Sequence, residues 1–168
     1  MSKMPSIKAS DLPILAAGLV IFLGVACWFH LRNEDSRRLV VTRITLATLQ
    51  SALRQYERIA DHAPRTIAGH TGIYGFLVAY QRQFARRDTA GHWKISHDNL
   101  IYLRRSVVQR GWISMPGGGR YYAVVAVKDG FGRPVHYLSD VRQNWRAPCF
   151  SSRLPAMAGK TQWIYSNH

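Results

Sequence analysis

From Leu12 to Phe29 the chain carries no charged residue, and helical periodicity continues beyond that run with no proline until Pro64. Apart from Pro13, Gly18 and Gly24, the run consists of Ala, Val, Leu, Ile, Phe, Cys and Trp. Eighteen residues of helix rise about 27 Å, close to the hydrocarbon thickness of a bilayer. Pro13 falls in the first turn, where a missing N–H costs nothing. The run ends in bulky Trp28 and Phe29 and then Arg32, unlike the small residues that precede a signal-peptidase cut. Gly24-Val25-Ala26-Cys27 has some likeness to a lipoprotein signal, against which stand the two aromatics after the cysteine. The sequence thus predicts a short flank over 1–11 and an uncleaved transmembrane segment over 12–31.

The next stretch predicts a continuation of the same helix over 32–62. Leu46, Leu49, Leu53, Tyr56 and Ala60 follow a 3,4 spacing that draws one apolar stripe, with Val40 and Ile44 adding to the early turns. Arg43, Arg54, Glu57, Arg58 and Asp61 take the remaining surface. Unbroken from Leu12 to Ala60, this helix would be about 73 Å long. His62-Ala63-Pro64 ends it, because the residue before a proline avoids the α region.

Residues 63–168 remain for a head. Loop glycines at 69, 72 and 75 lead into a second amphipathic stretch from Ile73 to Arg87, with Phe76, Leu77, Tyr80 and Phe84 on one side. His97 or Asp98 opens a short third helix to Arg110, turning Leu100, Ile101, Leu103 and Val107 or Val108 inward. Then the period changes. Met115–Gly119 is a loop, Arg120–Val127 a β-branched and aromatic strand, Pro134–Leu138 a second strand, and Thr161–Ser166 a third. The fold class is α+β: a long N-terminal helix packed on a small C-terminal antiparallel sheet.

Charge bears on partners. The formal net charge is +14, and from Ser36 onward 20 Lys and Arg face 6 Asp and Glu. Arginine outnumbers lysine 18 to 5, which suits bidentate contact with phosphate or carboxylate. Such a head fits anionic headgroups, nucleic acid, or a merely solvated basic surface. Arg104, Arg105, Arg110 and Arg120 lie in sequence near Trp112, Tyr121 and Tyr122, and Arg142 and Arg146 flank Trp145. Single-strand binders interleave cations and aromatics in this way. Strand aromatics, however, are commonly core, and arginines beside them snorkel. The first four arginines are the candidate polyanion contacts.

Other chemistry finds little footing. There is no nucleophile elbow, P-loop, dinucleotide fingerprint or HExxH pattern, and no zinc or disulfide spacing for Cys27 and Cys149. The histidines are scattered, and His92 and His97 are five apart, on different faces of a helix. No catalytic residue, metal ligand, cofactor site or small-molecule substrate is assigned. Gly117-Gly118-Gly119-Arg120 offers backbone N–H groups that could cradle an anion, or is simply a loop before a strand.

One segment resembles a known family. Asp129-Gly130-Phe131-Gly132-Arg133-Pro134-Val135-His136-Tyr137 is similar to the Asp-x-aromatic-Gly-x-Pro-x-x-Tyr signature of the major, G-type pseudopilins of type II secretion. Leu49-Gln50-Ser51-Ala52-Leu53-Arg54-Gln55-Tyr56 resembles that family's helix, with its Ala-Leu-x-x-Tyr core. The resemblance implies a pilin-like fold and a non-enzymatic structural role in protein transport. It implies a bacterial inner-membrane anchor with a periplasmic head, and partners among the bilayer and other pseudopilin or secretion-system helices. The chain departs from the family in four ways. The region from Gly69 to Gly119 is unlike the family's usual short insert. Lys8-Ala9-Ser10-Asp11-Leu12-Pro13 lacks the cleavage-site glycine pattern; no glutamate lies in the run; and Trp145 to His168 holds no Asp or Glu for a calcium loop. Orientation is also contested. Lys3 and Lys8 precede the span and Arg32, Arg37, Arg38 and Arg43 follow it, a count that puts the head in the cytoplasm. The alternative function is a membrane-tethered basic module that binds nucleic acid or another polyanion.

Overall fold

A computed structural model describes residues 12–64, 73–139, 148–155 and 162–166, with residues 12–16 described in backbone only. The N-terminal flank, residues 65–72, and Arg142, Trp145 and Arg146 lie outside the described residues. The chain divides into two compact units, Met1–Arg37 and Arg38–His168. The boundary falls within the first helix, α1, Leu12–Ala60.

In the first unit the described residues are helical, and Leu19, Val20, Ile21, Phe22, Trp28 and Phe29 are exposed. Arg32 lies over the Trp28 ring, 5.3 Å from its centroid. Among the described residues no helix is long and apolar enough to cross a membrane. The described side chains of the uncharged run extend only from Ala17 to Phe29, about 20 Å of helix.

In the second unit α1 buries Leu46, Leu49, Leu53 and Tyr56, the 3,4 stripe, together with Ala52. One turn earlier the stripe continues onto Thr42, fully buried, and not onto Val40 or Ile44, which are exposed. Adding four-residue steps backward from Leu46 reaches Thr42, so geometry overrides hydropathy there. Asp61, in left-handed conformation at φ 56°, turns the chain out of the helix ahead of Pro64.

Helix α2, Tyr74–Phe84, is shorter than the expected Ile73–Arg87. Residues Ala85–Arg87 form strand β1, paired antiparallel with β2, Trp93–Ile95. The turn between them is held by Asp88, whose Oδ1 accepts from the backbone N–H of Ala90 and His92. The expected third helix is absent. Residues 97–110 form two single 3₁₀ turns, His97–Asn99 and Arg105–Val107, and then enter β3, Val108–Ser114. Strand β3 pairs antiparallel with β4, Arg120–Val127, and this non-local ladder outweighs the local helical spacing. Leu100 is accordingly exposed, whereas Val107 is buried.

The expected single sheet is three small ones: β1-β2, β3-β4, and a three-stranded sheet ordered β5-β6-β7. These last strands are His136–Leu138, Cys149–Arg153 and Trp163–Tyr165, all antiparallel. The architecture is α+β with a long N-terminal helix and small antiparallel sheets. The main core joins the α1 stripe to Phe76, Leu77, Tyr80 and Phe84 of α2 and to Val127, Val135, Tyr137 and Phe150. A second cluster packs Ile113 and Ala123, from the inner face of the β3-β4 hairpin, on Val78 and Ala85.

Candidate functional sites

Among the described residues, two places concentrate the sequence-predicted side chains, and the first is the turn after β4. Asp129 is buried, and its Oδ1 accepts from the backbone N–H of Phe131 and of Arg133, each at 2.8 Å. Its Oδ2 accepts from the Ser152 hydroxyl of β6 at 2.6 Å. Backbone bonds close the loop: Asp129 N–H to Arg133 O at 2.8 Å, Gly132 N–H to Asp129 O at 3.1 Å, and Val135 N–H to Val127 O at 2.9 Å. One carboxylate thereby ties the turn to the neighbouring sheet, with no buried side-chain polar atom left unpartnered among the described residues.

The two glycines of this turn serve different needs. Gly132 sits at φ 78°, a region that side-chain-bearing residues avoid. Gly130 is required by proximity: a Cβ there would overlap the Arg38 carbonyl of α1. Its N–H donates to Thr42 Oγ1 at 3.0 Å, and that hydroxyl donates to Arg38 O at 2.9 Å. Beyond the turn, Tyr137 donates its hydroxyl to Pro64 O at 2.9 Å and packs its ring on Phe76 and Phe150. Burial pushes the Tyr137 hydroxyl far above the ordinary tyrosine range, and the charge of Glu57 adds to the effect. Arg133 spans to β6, donating Nη1 to Arg153 O at 2.9 Å. Phe131 is half-buried, and Pro134 faces Lys128 in an isolated bridge.

The second place is the hairpin. Register pairs Arg110 with Val124, Trp112 with Tyr122, and Ser114 with Arg120. Alternation turns Ile113 and Ala123 inward and leaves Trp112 and Tyr122 outward, 64% and 49% exposed. Their ring centroids are 5.2 Å apart. Arg110 and Arg120 are exposed on the same face, one toward each end of the ladder. Arg104 and Arg105 instead precede the open end of the hairpin, Arg104 capping and Arg105 opening the 3₁₀ turn. The four arginines therefore form no single cluster.

Sequence reasoning missed four contributors. Arg82 of α2 donates Nε and Nη2 to Ser114 O, at 3.1 and 2.9 Å. Arg87 donates to the carbonyls of Gly117 and Gly118 while stacking on Trp93, 5.0 Å from the ring centroid. The glycine loop thus presents carbonyls to a cation, which is the opposite polarity from an anion cradle. Thr42 and Ser152, the partners of the first site, were missed because each lies far in sequence from the turn it bonds. Only Thr42 had a signal, its place on the α1 stripe.

A groove between α1 and residues 97–102 is lined by Ser51, Gln55, Tyr80, His97 and Tyr102. Its polar groups already bond one another. Tyr80 donates to Gln55 Oε1 at 2.8 Å, Gln55 to Asn99 Oδ1 at 2.6 Å, and Tyr102 to His97 O at 3.0 Å. Burial pushes the Tyr80 hydroxyl up to about 12. Among the described residues, no group of three His, Cys, Asp or Glu is placed to hold a metal ion. Comparison with known proteins finds no matching family model, no matching curated protein and no matching solved structure.

Proposed function

We propose that the chain is a non-enzymatic, membrane-anchored structural component of the pseudopilin-like kind, associated with type II secretion. In this reading the uncharged run from Leu12 to Phe29 crosses a bacterial inner membrane once and associates there with partner helices. The α+β unit works in the periplasm as a pilin-like head.

The observation that carries the reading is the seating of the Asp129–Tyr137 turn against α1. A structural subunit of this kind must transmit position from its anchor helix to its head. A turn in which Gly130 touches the Arg38 carbonyl and Asp129 reaches Ser152 joins helix and sheet at one point. The Leu46, Leu49, Leu53 and Tyr56 stripe extends that attachment along the helix. The missing cleavage-site glycine and the missing glutamate favour an anchor beside a pseudopilus over a subunit within it.

Mass analysis of the N-terminus, combined with protease access to the head from either side of the membrane, tests this. An unprocessed N-terminus and a head digested only from the periplasmic side are expected. A head digested from the cytoplasmic side, as the count of basic residues would have it, overturns the proposal.

A further inference from the structure

We propose that the outer face of the β3-β4 hairpin binds a single-stranded nucleic acid, with bases stacking on Trp112 and Tyr122 and phosphates held by Arg110 and Arg120. This is independent of the secretion reading, since it concerns a surface that the helix and its turn do not use.

The hairpin is a two-stranded sheet whose outer face exposes Arg110, Trp112, Ser114, Arg120 and Tyr122, while Val124 at its open end packs against the main core. Its covered face, Ile113 and Ala123, already packs on α2 and β1. The outer face carries two large aromatic side chains, both exposed, where an unpartnered strand would normally place small or charged groups. Neither ring belongs to a core cluster, although Tyr122 borders a cleft that it shares with Leu100, Leu103 and Val124 at the open end of the hairpin. Aromatics on an open sheet are the platform on which single-strand readers stack bases.

The arginines match that platform. Arg110 stands two residues from Trp112 and Arg120 two residues from Tyr122, so the cations bracket the aromatic pair diagonally. Along the strand they are four residues apart in register, about 14 Å at about 3.4 Å per residue. Among the described residues neither has a hydrogen-bond or ion-pair partner, unlike Arg82 and Arg87, which are fastened to carbonyls. Those two fix the hairpin's turn end and add their own charge there. The carboxylate nearest in sequence to them, Asp88, is engaged by Lys94 at 2.8 Å. A face with uncommitted guanidinium groups, on a chain of net charge +14, is complementary to a polyanion. The aromatic pair between them selects a polyanion that also offers flat rings. A lipid surface is the less favoured occupant, because the two strands expose no Leu, Ile or Phe to enter the acyl region.

The test uses the full chain in detergent micelles and a fluorescein-labelled oligothymidylate, with anisotropy read across a salt series. Heparin and phosphatidylserine vesicles serve as polyanions without stacking bases. Binding of the oligonucleotide at low salt is expected. Trp112→Ala with Tyr122→Ala should weaken it about tenfold or more, leaving heparin affinity unchanged. Arg110→Ala with Arg120→Ala should flatten the slope of log affinity against log salt by about 1.4, at about 0.7 for each phosphate no longer neutralised. Trp112→Phe with Tyr122→Phe should keep most of the affinity. All six replacements are at exposed positions, and unchanged thermal melts verify the fold. The proposal is overturned by an absence of binding at low salt, or by an aromatic double variant that binds the oligonucleotide normally. It is also overturned by equal losses for oligonucleotide and heparin, or by a loss confined to the vesicles. If the aromatic variant does not fold, an unchanged salt slope in the arginine variant overturns it on its own.

Discussion

Gly130 lies against the Arg38 carbonyl so closely that no side chain fits between them. Ninety-two positions separate the two residues, and their contact fixes where the sheet meets the long helix. Alanine at Gly130 must push the turn off α1 and break its N–H bond to Thr42 Oγ1. We expect Gly130→Ala to destabilise the second unit by about 2–4 kcal/mol, from overlap with backbone plus the loss of a partly buried hydrogen bond. Gly132→Ala meets no atom and suffers only the left-handed backbone penalty, about 1–2 kcal/mol. Urea unfolding of the full chain in micelles compares the two. Equal losses would show that conformation, not contact with α1, sets the role of Gly130.

Asp129 supplies acceptors for two backbone N–H groups and one hydroxyl in a buried setting. Asp129→Ala leaves all three without their partner, at about 1–3 kcal/mol for each group that water cannot reach. Ser152→Ala removes one bond and should cost about 1 kcal/mol. Asp129→Asn keeps one oxygen for the backbone pair, and the Ser152 hydroxyl can rotate to accept from the new amide. The expected order of unfolding midpoints is wild type, then Ser152→Ala and Asp129→Asn close together, with Asp129→Ala far below. An Asp129→Asn variant as unstable as Asp129→Ala would mean that the carboxylate's charge matters more than its acceptor geometry.

How much of this was legible in the sequence depends on whether the deciding partner is local. The α1 stripe and β4 were legible because 3,4 spacing and a β-branched run are local signals. The Met115–Gly119 loop was legible from its glycines. The helix expected over 97–110 failed because Leu100, Ile101, Leu103 and Val107 do have helical spacing, and only the ladder with β4 makes 108–114 a strand. Arg86 and Arg87 looked like the C-terminal turn of α2, yet pairing with Lys94 and Trp93 takes them into β1. Strand β6 gave no alternation to read, since Ser151 and Ser152 are buried beside Cys149 and Phe150. At the hairpin the residue types were legible, but which arginines share a face with Trp112 depends on register. At the turn, Thr42 was hidden by its own polarity.

Alkaline pH should loosen the second unit through its buried tyrosines. Burial raises Tyr80 to about 12, and Tyr137 shifts the same way, whereas an unfolded tyrosine titrates near about 10. Above about pH 10 the unfolded chain has released protons that the folded chain still holds. Stability is therefore fully present below that point and falls as pH rises, the Tyr80 contribution being lost by about pH 12. Tyr80→Phe should begin lower at neutral pH, having lost its bond to Gln55, but should fall less steeply above about pH 10. Urea midpoints measured from neutral to alkaline pH give both slopes. Parallel slopes would exclude Tyr80 as a source of the decline.

The membrane reading makes the centre of the uncharged run its most sensitive part. Val20 and Ile21 lie near its midpoint and are exposed, at 69% and 68%, so their replacement should leave the folded second unit intact. An arginine at the centre of a spanning helix costs about 2.5–3.5 kcal/mol, and the lost aliphatic residue adds a few tenths. Val20→Arg with Ile21→Arg should thus shift the protein by about 6–8 kcal/mol away from the bilayer, enough to move it from membrane to soluble fractions. Phe29→Arg lies at the edge, where a long cationic side chain snorkels to the headgroups, and should stay membrane-bound. Carbonate extraction separates these outcomes, and protease resistance of the head reports that folding is unchanged. Retention of the double-arginine variant in the membrane fraction would show that the run from Leu12 to Phe29 is not what holds the chain there.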